Sequence, residues 1–110
     1  METHLNSIYN QAAALHRKGQ TAEALALLDD ALCSEPVAAF LVLKARLLLA
    51  VDRLSEALAV SEQAVAAAPS MAETLLVRGD VLSAMQRDAE AIGNYDNVIA
   101  LNPRLAEAFL

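Results

Sequence analysis

The stretch LLVRGDVLSAMQRDAEAIGNYDNVIALNP runs from Leu75 to Pro103. It sets a large apolar residue at Leu75, Gly79 four residues on, Leu82, Ala91, Tyr95, Val98 and finally a proline. The chain before it follows the same order twice. Pro36, Pro69 and Pro103 are separated by 33 and then 34 residues, and the same two steps connect Ala24, Ala57 and Ala91. They also connect Leu15, Leu48 and Leu82, the small residues Ala12, Ala45 and Gly79, the set Leu28, Ser61 and Tyr95, and the set Ile8, Leu41 and Leu75; one step further lands on Phe109. Self-similarity at such a period is the mark of a repeat architecture, in which each unit is one supersecondary element stacked on its neighbours.

The order (large apolar, Leu, Gly, aromatic, then Ala, aromatic, Ala, Pro) resembles the tetratricopeptide repeat, and it covers almost the whole chain. Copy one reads Ile8, Gln11, Ala12, Leu15, Ala24, Leu28, Ala31, Pro36; copy two reads Leu41, Lys44, Ala45, Leu48, Ala57, Ser61, Ala64, Pro69; copy three reads Leu75, Arg78, Gly79, Leu82, Ala91, Tyr95, Val98, Pro103. Gln11, Lys44 and Arg78 stand in place of the family's leucine and Ser61 in place of its aromatic, which weakens packing locally. The resemblance implies an all-α fold: a right-handed superhelical solenoid of three helix-turn-helix units with a partial seventh helix. The chain forms a single domain with repeats at about 5–37, 38–71 and 72–105 and a further repeat starting over 106–110. The array resembles bacterial ones and reads as the N-terminal fragment of a longer protein.

Composition agrees. Of the 110 residues 56% are apolar, yet there are only two Tyr and two Phe, so interfaces between helices are built from small side chains. A formal charge of −6 with no run of Lys or Arg argues against nucleic acid, which needs a basic stripe. A single cysteine excludes an internal disulfide framework, and Met1 to Asn10 hold neither a basic start nor an apolar core of a signal peptide. A cytoplasmic protein is the expectation. The apolar run Val37 to Leu43 is too short to span a bilayer.

Within each repeat two antiparallel helices are expected. Gly19 suits a left-handed C-terminal cap. Thr21, Ser55 and Asp88 offer side-chain caps for the second helices, and Ser70 with Glu73 forms a capping-box pattern. The second helices carry an acidic set, Glu23, Asp29, Asp30, Glu56, Glu62, Glu90 and Asp96, which reads as a solvated convex back. The missing residue falls between Pro36 and Ala45, in the turn joining repeats one and two, and should alter the twist there. The helix from Val37 to Val51 is apolar nearly all round, which fits a helix flanked on most sides or, alternatively, a groove over Val42, Leu43 and Leu49 that meets an apolar partner.

The reactive side chains give no chemistry. Cys33 has no His or acid arranged around it, and a lone thiol is a packed or surface residue far more often than a nucleophile. His4 and His16 are too far apart on a helix to share a metal. Asp29 and Asp30 point in different directions. No phosphate loop, nucleophile elbow or zinc spacing occurs, so no cofactor, metal or enzyme activity is expected.

By resemblance, the first helices of successive repeats line a concave groove that holds a peptide or a partner helix. On this sequence the groove residues are Asn6, Tyr9, Asn10, Ala13, His16 and Arg17, then Ala39, Val42, Leu43, Arg46 and Leu49, then Glu73, Leu76, Val77, Asp80 and Ser83. The carboxylate clamp with which co-chaperones of this family grip acidic chaperone tails needs Lys, Asn, Asn, Lys and Arg. Those places hold Tyr9, Ala13, Leu43, Glu73 and Val77, and that function is rejected. The reading is a non-catalytic interaction scaffold for a protein or peptide, with no nucleic acid or membrane partner. The alternative is a substrate-recruiting arm of a larger enzyme such as a glycosyltransferase. Leu105, Phe109 and Leu110 at the unfinished end are expected to drive weak self-association into a homodimer.

Overall fold

The computed structural model describes residues 4–34 and 37–101. Six helices follow one another: α1 (His4–Arg17), α2 (Thr21–Ser34), α3 (Ala38–Ala50), α4 (Leu54–Ala67), α5 (Ala72–Ala84) and α6 (Asp88–Leu101). Pro36, Pro103, the side chain of His4 and the proposed seventh helix with Leu105, Phe109 and Leu110 lie outside the described residues.

The turns inside the three repeats are copies of one another. Gly19, Asp52 and Gln86 adopt φ of 81°, 62° and 63°. Their amides donate to the carbonyls of His16, Leu49 and Ser83, while the next residues, Gln20, Arg53 and Arg87, donate to the carbonyls of Leu15, Leu48 and Leu82 at 2.8, 2.9 and 2.9 Å. This double closure with a left-handed residue is the Schellman arrangement, and it satisfies the last carbonyls of α1, α3 and α5. The same three residues then open the next helix. The carbonyls of Gln20, Arg53 and Arg87 accept from the amides of Ala24, Ala57 and Ala91 at 3.1, 2.9 and 3.0 Å.

One residue therefore ends one helix and begins another, which corrects the expected caps. Thr21 and Asp88 are the first helical residues of α2 and α6, Ser55 is the second of α4, and no side-chain cap closes α4. Instead the turn residue reaches forward to a glutamate three places on. Arg53 grips Glu56 with bonds of 2.6 and 3.0 Å, Arg87 grips Glu90 at 2.8 and 3.0 Å, and Gln20 donates to Glu23 at 3.4 Å. The capping box at Ser70 and Glu73 does not form either, because α5 starts at Ala72 with Met71 before it and no side-chain cap. Thr74 serves that turn from inside the helix. Its fully buried hydroxyl lies 2.8 Å from the carbonyl of Met71 and 2.9 Å from that of Ala68, and its proton bonds one of them at a time.

α1, α3 and α5 touch in sequence, whereas α2, α4 and α6 make no extended contact with one another. Packing one layer closely and splaying the other curves the stack, with the first helices on the inside. α3 is the hub: Phe40, Leu41, Val42, Leu43, Ala45, Leu47 and Leu48 are all buried, which accounts for its apolar circumference. The diagnostic alanines Ala24, Ala57 and Ala91 are buried, as are Ala12, Ala45 and Gly79 opposite them. α4 packs along α5 far more fully than α2 packs along α3, so the shortened junction between repeats one and two is also the looser one.

Candidate functional site

The inner face is built on α1, α3 and α5 because helical periodicity brings positions three and four apart to one side. On α1, Asn6, Tyr9, Asn10 and Arg17 are exposed and Ala13 is half-buried. His16 is half-buried, and its Nδ1 sits 2.9 Å from the Thr21 hydroxyl across the turn, so the ring is held by its own repeat. On α3, Arg46 and Leu49 are half-buried, and on α5 Glu73 and Ser83 are exposed while Leu76 and Asp80 are half-buried.

Three of the expected groove residues belong to the core instead. Val42, Leu43 and Val77 are 4%, 7% and 0% exposed, since adjoining first helices close over them, and they offer almost no surface to a ligand. Asp80 is engaged too. It accepts a 2.6 Å hydrogen bond from the Tyr95 hydroxyl, which holds α6 against α5. Burial, then this bond and the Asp80 charge, keep the Tyr95 phenol protonated well above its ordinary range. What remains exposed on these helices includes Asn6, Tyr9, Asn10, Arg17, Glu73 and Ser83, with Arg46 and Leu49 half-buried.

Tyr95 also explains the glycine of repeat three. A Cβ on Gly79 would stand 2.7 Å from the Tyr95 ring, whereas the register partners of this pair are Ala45 with Ser61 and Ala12 with Leu28. Small faces large in one repeat and the sizes even out in the others. Ser61, called a weak spot from sequence, is fully buried and donates to the Leu58 carbonyl at 2.8 Å, so its polarity is satisfied. The buried Asn94 likewise donates to the Glu90 carbonyl at 2.9 Å.

On the outer side the acidic set is exposed as expected. Asp29, however, is bridged at 2.7 Å by Lys44, one of the residues that replaces the repeat's leucine. The pair borders a cleft of about 550 Å³ between α2, α3 and α4, lined also by Leu32, Cys33, Leu41, Gln63 and Ala67. Cys33 is exposed and unpaired. Among the described residues no three His, Cys, Asp or Glu side chains gather to hold a metal, and no helix is long and apolar enough to cross a membrane.

No family model and no curated protein matches the sequence. Solved structures do match by shape. The second tetratricopeptide-repeat domain of Spaghetti (RPAP3), bound to the HSP90 peptide SRMEEVD, superposes with a TM-score of 0.80 at 18% identity, covering 88% of this chain and 85% of that one. The first such domain of Spaghetti, bound to the same peptide, gives 0.83 at 20% identity over 88% and 78%. The first domain of human RPAP3, determined by NMR, gives 0.83 at 21% over 87% and 76%. Together with the repeated turns and the register of small and large residues, these likenesses establish the fold: a superhelical α-solenoid of three tetratricopeptide-type helix-turn-helix units.

Proposed function

We propose that this chain is a non-catalytic protein-interaction module that holds a peptide or partner helix on the inner face of α1, α3 and α5. The observation that carries this reading is the face itself: Tyr9, Arg17, Arg46 and Glu73 present an aromatic ring and charges of both signs on adjoining rigid helices. Two of the similar structures hold a peptide. A solenoid of this size encloses no catalytic cavity, and peptide recognition by rigid helices is the work such a surface can do.

The ligand differs from the acidic tail bound by those neighbours. A terminal carboxylate needs a ring of cationic and amide donors, and here the matching places carry the anion Glu73, the buried Leu43 and Val77, and the donor-poor Tyr9 and Ala13. A peptide with a basic residue toward Glu73 and an acidic or carbonyl-rich segment toward Arg17 and Arg46 fits the charge order. The setting is a soluble cytoplasmic one, in keeping with the unpaired Cys33.

Labelled SRMEEVD gives no saturable binding on this reading, whereas peptides selected from a displayed library on the immobilised protein lose binding in Arg46→Glu and Tyr9→Ala. Selected peptides that tolerate both substitutions, or tight binding of SRMEEVD, would overturn it.

A further inference from the structure

Repeat three departs from the other two at three positions that meet in space. Gly79 stands where the others carry Ala12 and Ala45, Asp80 where they carry Ala13 and Arg46, and Tyr95 where they carry Leu28 and Ser61. The Tyr95 ring lies against Gly79, where a Cβ would come within 2.7 Å of it, and its hydroxyl donates to Asp80 at 2.6 Å. The residues in the place of Tyr95 have no such reach. Leu28 has no donor, and the Ser61 hydroxyl is taken by the Leu58 carbonyl.

The bond has a consequence for a side chain that takes no part in it. Arg46 and Asp80 hold the same register position on α3 and α5, which pack against each other. Packed helices stand about 8–10 Å apart, a gap that an arginine can cross, so opposite charges at matched places on two such helices are set to pair. Arg46 nevertheless makes no hydrogen bond or ion pair among the described residues, although it is half-buried. α1 offers it no acid anywhere between His4 and Arg17. Glu73 of α5 lies seven residues, two helical turns, before Asp80 and is level with Ala39 instead. Asp80 is thus the acid at the height of Arg46, and its bond turns it to α6, which touches α5 and not α3. A half-buried guanidinium without a partner has given up hydration for nothing in return, so a carboxylate brought to it binds more strongly than on an open surface.

We propose that Tyr95 is a positioning residue of the inner face: by holding Asp80 toward α6, it keeps Arg46 unpaired and open to an Asp or Glu side chain of a bound peptide. Gly79 serves the same end by admitting the Tyr95 ring. The ligand half of this inference rests on the proposed binding of a peptide at the inner face, and the withholding of Asp80 from Arg46 does not.

The first arm of the test needs no ligand. Urea denaturation of Arg46→Gln, Asp80→Asn and the double variant is measured with Tyr95 in place and again in Tyr95→Phe, which keeps the ring and removes the hydroxyl. With Tyr95 the midpoint shifts of the single variants should add. In Tyr95→Phe the double variant should lose less than their sum, because the freed Asp80 has paired with Arg46. The second arm titrates a tetraglutamate peptide with blocked ends into the same proteins while backbone amide shifts are followed by NMR. Tyr95→Phe should weaken saturable binding about threefold in the presence of Asp80 and leave it unchanged in Asp80→Asn, whereas a purely structural Tyr95 would weaken both alike. Coupling confined to Tyr95→Phe, with no peptide bound by any of the proteins, upholds the role of Tyr95 and overturns the inner-face reading for acidic peptides. Additive shifts in both backgrounds, coupling already present beside Tyr95, or equal weakening with and without Asp80 would overturn the proposal.

Discussion

Gly79 and Tyr95 show how two positions 16 apart in the chain share one volume. Alanine is normally the better helix residue by about 1 kcal/mol, yet at Gly79 its methyl would stand 2.7 Å from the Tyr95 ring. Gly79→Ala should therefore destabilise the native protein by about 1–2 kcal/mol, the overpacking cost less the propensity gain. In a Tyr95→Ser background, which copies the Ala45 and Ser61 pairing of repeat two, the same change should stabilise by about 1 kcal/mol. Urea denaturation of the four proteins measures the reversal of sign. Tyr95 has a pH signature as well. Its phenol titrates at a higher pH in the folded chain than in the unfolded one, so its contribution is complete below about pH 10 and is lost as pH rises beyond that. Stability should fall as pH rises above about 10. Tyr95→Phe should flatten this slope, and melting curves at a series of alkaline pH values read it out.

The turns show a different economy, because a single residue terminates one helix and starts the next. Two of the three left-handed positions are filled by Asp52 and Gln86; a glutamine disfavours φ near 60°, and an aspartate tolerates it better but less well than glycine. Replacing either by glycine, as repeat one already does with Gly19, should raise stability by about 0.5–1 kcal/mol, the relief of strain less the added freedom of the unfolded chain. Thermal unfolding of Asp52→Gly, Gln86→Gly and the double variant tests this, with additive gains expected since the turns lie in separate repeats. The exposed pairs of Arg53 with Glu56 and Arg87 with Glu90 orient the turn but are screened by water, so each contributes a few tenths of a kcal/mol. Their pattern, a donor followed three residues later by glutamate, is written in the sequence at 20, 53 and 87. The hydroxyls and carboxylate of Thr21, Ser55 and Asp88 hid it, because these capping residue types stand one or two steps inside the observed boundary.

The array is held together by neighbours alone, so damage spreads according to position. Ala57 is fully buried in the middle repeat, and a leucine there should cost about 1–3 kcal/mol by overpacking. Ala91→Leu in the third repeat should cost less, since that repeat packs against another on only one side among the described residues. Equal losses in parallel denaturation curves would show that the middle repeat is no more constrained than the last. The inner face inherits its rigidity from this arrangement, as α3 is enclosed on most sides and positions Arg46 and Leu49 on a fixed backbone.

Repetition made the number of helices, their pairing and the small-residue contacts legible from the chain, because a 33- or 34-residue period constrains every unit against the others. Helix ends resisted, since a backbone turn with a left-handed residue caps as well as a side chain does and leaves a weaker mark in composition. The first helices form one contiguous layer, as the repeat order implies, while which of their inward residues stay exposed was not fully legible. Val42, Leu43 and Val77 sit at inward register, but whether an inward apolar residue meets a ligand or the next helix depends on how closely successive first helices approach, which is a matter of tertiary packing. Tertiary packing alone also decided that Lys44, an apparent defect in the leucine pattern, reaches across a repeat boundary to Asp29. The sequence sets which residues recur, and the distance between neighbouring repeats decides which of them are left to touch another molecule.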